Sequence, residues 1–96
     1  MYQKEKWSQA TIQKVWQKAV KVSDENDAAG FRKDACGAWM KFDQHGDRSA
    51  KYGWEVDHKK PLALRGSDDL ENLQPLRWEN NVEKGDSPTL KCAVRN

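Results

Sequence analysis

Asp57 and His58 set a carboxylate directly beside an imidazole, and Asn72, Asn80, Asn81 and Lys84 follow within the next 26 residues. A carboxylate and an amide carbonyl are hard oxygen donors that suit a divalent cation such as Mg²⁺ or Mn²⁺. An imidazole is matched to proton abstraction near neutral pH. Suppose the segment ending at His58 is a strand that packs beside a helix carrying the asparagines. Asp57 and one asparagine then hold the cation, and His58, on the other side of the strand, is left as the base. Hydrolysis of a phosphodiester needs that pair of functions: a base to make a nucleophile from water, and a cation to offset charge on phosphoryl and leaving oxygens. The competing reading is a surface Asp-His pair with asparagines that cap a short helix.

The elements that must position these groups can be sketched from pattern. YGWEVDH carries β-formers at Tyr52, Trp54 and Val56 and reads as a short strand. KKPLALRGSDDLEN, with Pro61, Gly66 and paired aspartates, reads as an ordered loop. LQPL makes a very short strand, and RWENNVEKG a short helix ended by Gly85, with Trp78 and Val82 four apart on one side. Upstream, SQATIQKVWQKAVKV has Ile12, Val15, Trp16, Ala19 and Val20 at helical spacing, with Ser8 or Thr11 as cap. A helix over that whole stretch lines up Lys14, Lys18 and Lys21 on the opposite face. Such a stripe is either a solvated face or a grip on nucleic-acid phosphates. SDENDAAG reads as a polar loop, FRKDACGAWMKF as one helical turn followed by a strand, and DQHGDR as a turn around Gly46 that places His45 on a hairpin. SPTLKCAVRN has weak strand character.

Composition frames this as one small α+β domain spanning 1–96. A third of the residues are charged and 36% are hydrophobic, the balance of a globular chain rather than a disordered one. The five tryptophans are expected mostly in the core. Net charge is only +2, but residues 1–53 carry ten Lys/Arg against seven Asp/Glu, and residues 54–96 seven against eight. The excess of positive charge therefore lies upstream of the candidate site, where it is compatible with phosphate binding. No segment reads as a transmembrane helix or signal peptide. Cys36 and Cys92 form no CxxC pair, which argues against a cysteine-built zinc site. Both are expected as reduced, packed thiols in a cytoplasmic protein.

The stretch EVDHKKPLALRGSDDLENLQPLRWENNVEKGD resembles the signature of HNH endonucleases, including the HNH domain of RNA-guided CRISPR nucleases. That signature has an Asp-His or His-His pair, a proline, a loop rich in Gly and Asp, an Asn-Leu, and a last His or Asn with a trailing Lys-Gly. Here His58 precedes Asn72 by fourteen residues, Asn72 precedes Asn81 by nine, and Lys84 follows three later. The resemblance implies a ββα-metal core over residues 52–86, with residues 1–51 as N-terminal helix, short β-hairpin and scaffold. It assigns His58 as the general base, Asp57 and Asn81 (with Asn80 one residue away) as metal ligands, and Asn72 as the brace that orients the catalytic histidine. It puts Lys84 on phosphate, with Lys59 and Lys60 where the backbone passes.

Two departures accompany the match. The last motif residue is Asn, an HNN variant that favours an oxygen-preferring cation over tightly held zinc, with Ni²⁺ and Zn²⁺ as further options. The cysteine pairs that often bind structural zinc in that family are missing, and packing of Trp7, Trp16 and Trp39 is expected in their place. The implied activity is metal-dependent cleavage of DNA, most simply double-stranded, with Lys14, Lys18 and Lys21 adding grip and Arg32 and Lys33 as further phosphate contacts. Nothing resembles a base-reading motif, so specificity is low or comes from a protein partner. The alternatives are an inactive nucleic-acid-binding accessory module, or a toxin-like protein held by an inhibitor. Oligomeric state has no signature in the sequence.

Overall fold

The protein is described from a computed structural model covering residues 7–96. The lysines at positions 4 and 6, part of the basic N-terminal stretch, lie outside the described residues. Helix α1 (Gln9–Trp16) opens on Ser8, whose hydroxyl accepts a hydrogen bond from the Thr11 amide at 3.1 Å. It buries Ile12, Val15 and Trp16 along one face. The expected continuation to Val22 does not form. After Gln17 the chain turns, and Val20, 53% exposed, exchanges backbone hydrogen bonds with Lys33. Two β-branched valines near the end, at 20 and 22, favour the extended bridge over another helical turn.

SDENDAAG, expected as loop, contains helix α2 (Asp24–Ala28). Ser23 accepts from the Asn26 amide at 3.0 Å, and three acidic residues complement the first turn. The helical turn expected after Gly30 is instead strand β1 (Phe31–Lys33), which pairs antiparallel with β2 (Trp39–Lys41). The turn between them is set by Asp34. One of its oxygens accepts from the amides of Cys36 and Ala38, each at 2.9 Å. The other accepts from the Arg77 amide at 2.9 Å and the Asn80 side chain at 3.0 Å.

Strand β3 (Trp54–His58) pairs antiparallel with β4 (Leu73–Arg77), in a register that sets Asp57 against Gln74 and His58 against Leu73. Helix α3 (Trp78–Lys84) follows β4 without a break and stops at Gly85, which has φ +53°. The β3–β4 connection holds two short 3₁₀ turns, at Leu62–Leu64 and Leu70–Asn72. Two glycines are needed for close approach. A Cβ on Gly53 would lie 1.9 Å from the Asp47 carbonyl oxygen, and one on Gly66 1.7 Å from that of Lys60.

The core lies between α1 and the two hairpins. It comprises Ile12, Val15, Trp16, Ala19, Met40, Trp54, Val56 and Leu73, with Trp7 and Phe42 packed against it. Of the five tryptophans only Trp16 and Trp54 are buried, their rings 5.1 Å apart. Helix α3 departs from expectation too. Val82 is 52% exposed, and the face that packs carries Asn80 and Lys84. The helix docks largely through polar contacts, with Val82 left outside and Trp78 half-buried against Gly53.

The cysteines overturn the expectation of free thiols. Cys36 and Cys92 form a disulfide across a sequence separation of 56 residues, their Cα atoms 5.7 Å apart. The premise of reduced thiols behind a cytoplasmic location is thereby removed. The tail is pinned further by Asn80, which donates to the Val94 carbonyl at 2.9 Å and accepts from its amide at 2.8 Å. No tail strand forms. Among the described residues no helix is long and apolar enough to cross a membrane.

Candidate metal and phosphodiester site

Strand β3 delivers alternate side chains to its two faces. Trp54 and Val56 enter the core, while Glu55 and Asp57 meet α3. His58 emerges half-buried at the strand end, its ring 5.6 Å from that of Trp7. Asp57, His58, Pro61, Asn81 and Asp86 line one cleft of about 190 Å³. Residues from β3, from the following loop and from α3 thus converge at the same place.

Asp57 is buried. Its Oδ2 accepts from Gln74 Nε2 at 2.9 Å, and Lys84 Nζ stands 3.3 Å from its Oδ1. Burial nevertheless pushes its carboxyl pKa up, outweighing the Gln74 hydrogen bond and the Lys84 charge. His58 Nε2 lies 2.7 Å from Asp68 Oδ1. A carboxylate accepts, so the neutral tautomer that this contact favours carries its proton on Nε2 and its lone pair on Nδ1.

Asn72 ties the loop shut. Its Oδ1 accepts from the Lys60 amide at 2.9 Å, and its Nδ2 donates to the carbonyls of Lys60 at 3.1 Å and Ser67 at 2.7 Å. The Lys59 amide reaches the Asn72 carbonyl at 2.8 Å. Both ends of the segment between His58 and Asp68 are therefore held by this one residue.

Asn81 donates through Nδ2 to Glu55 Oε1 at 2.7 Å, and its side-chain Oδ1 takes no hydrogen bond from the described residues. Asn80 faces the other way, fully buried against Asp34 and Val94, and does not line the cleft. Of the two adjacent asparagines, Asn81 is the one that lines the cleft.

The expected phosphate-binding lysines separate into two groups. Lys84 is 2% exposed and donates to the His58 carbonyl at 2.9 Å, so it braces the strand end from within rather than meeting a phosphate. Lys18 donates to the carbonyls of Leu70 and, at 2.9 Å, Leu73. Burial, then the nearby Lys59 charge, lowers its pKa. Lys21 pairs with Asp24 at 2.7 Å, a hydrogen bond that raises its pKa. With α1 ending at Trp16, Lys14, Lys18 and Lys21 form no single helical stripe. Arg32, expected at a phosphate, is buried and donates to Asp27 at 2.7 Å. Lys14, Lys59 and Lys60 remain exposed.

Asp68, Gln74, Glu55 and Arg48 were not anticipated as parts of the site. Glu55 had a signal, since it lies two residues before Asp57 and so on the same strand face. Asp68 had only its place in an acidic loop.

Among the described residues no three His, Cys, Asp or Glu side chains gather as a metal-binding group. Besides the Asp86 carboxylate at its rim, the cleft offers the carboxylate of Asp57 and the amide oxygen of Asn81. Mg²⁺ keeps several waters and commonly takes only one or two protein oxygens, so this pair fits a hard cation and is a poor match for a closed nitrogen-sulfur zinc site.

An antiparallel hairpin with Asp-His closing its first strand, followed directly by a helix bearing the cleft asparagine, is a ββα unit. A family model for HNH endonucleases matches residues 39–87, half of the chain, and the chain belongs to the HNH endonuclease family. No curated protein and no solved structure matches it significantly.

Proposed function

We propose that this chain is a metal-dependent DNA endonuclease in which His58 is the general base and Asp57 and Asn81 hold one divalent cation, Mg²⁺ or Mn²⁺. The observation that carries this reading is the convergence of Asp57, His58 and Asn81 on one cleft. Asp68 orients the imidazole, and Nδ1 of His58 takes a proton from water. The resulting hydroxide attacks phosphorus as the bond to the leaving oxygen breaks. A cation held by Asp57 and Asn81 would offset charge on the phosphoryl and leaving oxygens. Asn72 is a positioning residue that holds the loop carrying Asp68. Lys59 and Lys60, exposed beside His58, bind backbone phosphates, and Lys14 extends that grip.

The test is cleavage of supercoiled plasmid with Mg²⁺, Mn²⁺, Ni²⁺ or Zn²⁺, comparing wild type with His58→Ala. Metal-dependent nicking that is lost in the variant is expected. DNA binding without cleavage under every metal overturns the enzyme reading in favour of an accessory module.

A further inference from the structure

Asn81 can serve a cation only through its carbonyl oxygen, because the amide NH₂ has no lone pair to give. An asparagine has nearly equal branches and can present either one. In this protein the choice is made beneath the cleft. Glu55 is 0% exposed, and its Oε1 accepts from Asn81 Nδ2 at 2.7 Å. Arg48 grips the same carboxylate through two bonds, Nε to Oε2 at 2.7 Å and Nη2 to Oε1 at 2.9 Å. The Arg48 guanidinium also lies 5.9 Å from the ring of Trp78, the first residue of α3.

We infer that Glu55, clamped by Arg48, is a positioning residue that fixes the orientation of the Asn81 amide so that its oxygen faces the cleft. This rests on the reading of Asn81 as a metal ligand. A carboxylate accepts and never donates, so the Asn81 NH₂ must turn toward Glu55 and the oxygen away from it. A burial this complete would be unfavourable for a lone carboxylate. The bidentate Arg48 contact is what allows the charge to stay ionised and acceptor-only. Partners of this kind, one layer behind a ligand, typically set metal affinity by ten- to a hundredfold.

The inference predicts a specific pattern of loss and rescue. In Glu55→Gln, Arg48 only donates, so it claims the Gln oxygen and leaves the Gln NH₂ facing Asn81. The Asn81 amide then turns over and presents NH₂ to the cleft. Mn²⁺ affinity, read by calorimetry and by the EPR signal of free Mn²⁺, should fall about ten- to a hundredfold. Asn81→Asp alone sets two carboxylates together at this contact and should also bind poorly. Combining Glu55→Gln with Asn81→Asp restores a donor-acceptor pair and leaves one carboxylate oxygen for the cation, so binding should recover to within about a few-fold of wild type.

Asn81→Ala separates the two levels. If it loses Mn²⁺ affinity while a folded Glu55→Gln keeps it, the orientation device is refuted and the ligand reading stands. If Asn81→Ala binds Mn²⁺ normally, both fail. A folded double variant that does not regain affinity also overturns the inference. A wild-type measurement covers the case in which the variants do not fold. With Asn side chains isotope-labelled, Mg²⁺ should shift the Asn81 carbonyl carbon while its NH₂ protons stay slow to exchange. An NH₂ that exchanges freely, or a carbonyl that does not respond, rejects it.

Discussion

Asn72→Ala tests whether the loop after His58 needs its brace. The substitution removes three side-chain hydrogen bonds, to the Lys60 amide and to the carbonyls of Lys60 and Ser67. Each is worth about 0.5–1.5 kcal/mol net, and the lower half of that range applies because Asn72 is only half-buried and water can replace part of the loss. The sum is about 2 kcal/mol. It falls on local opening of the loop rather than on global unfolding, because the core residues are untouched. Hydrogen exchange at the Lys60 amide should quicken by more than tenfold, at about 1.4 kcal/mol per factor of ten. The loop carries Asp68, so His58 loses its orienting partner for part of the time and nicking should slow by a comparable factor. Mn²⁺ affinity should stay the same, since neither Asp57 nor Asn81 bonds to Asn72. Unchanged exchange at Lys60 refutes the brace. A fall in Mn²⁺ affinity equal to the fall in rate refutes its confinement to the loop.

Two further expectations concern the scaffold. The chain-entropy relation applied to the Cys36–Cys92 separation of 56 residues gives about 4 kcal/mol of stabilisation; urea unfolding of Cys92→Ala should shift by that order, and superimposable curves contradict it. Asp27 has its pKa lowered below the ordinary 3.8, first by the hydrogen bond from Arg32. Its contribution is therefore present above the unfolded value and lost as pH falls through the lower folded one. The gap in melting temperature between wild type and Asp27→Asn should be constant near neutral pH and close on acidification, whereas a gap that persists in acid rules this linkage out.

Asp57 and His58 stood out by residue type, a carboxylate beside an imidazole at a strand end, whereas the choice of Asn72 and Asn81 among several asparagines came from the resemblance to HNH endonucleases. The lysines were misplaced because a positive charge in sequence says nothing about direction. Lys84 and Arg32 turn inward to carbonyl and carboxylate partners that lie 26 and 5 residues away. Helix α1 was overextended because Ala19 fits a helical period and is also buried as a core residue beyond the helix end. Of the β1–β2 hairpin only β1 was missed, because the turn that follows it is made by side-chain acceptance at Asp34 and leaves no hydrophobic rhythm. The disulfide could not be read because the proximity of Cys36 and Cys92 depends on the Asn80–Val94 contact, a tertiary event.

Asp34 gives the upstream half of the molecule a property of practical use. Its carboxylate has roughly four acceptor positions, and four N–H groups from the β1–β2 turn, β4 and α3 fill them. That is a coordination shell turned inside out, with an anion at the centre and protein donors around it. Where related fingers are expected to close this region with zinc, a chelator would attack both shape and chemistry. Here the knot is made of hydrogen bonds and a covalent sulfur bridge, so EDTA should silence the reaction while leaving the melting curve in place. A reductant should do the reverse, loosening the frame while the cation still finds its oxygens. Two cheap reagents thus address two separable parts of one small protein.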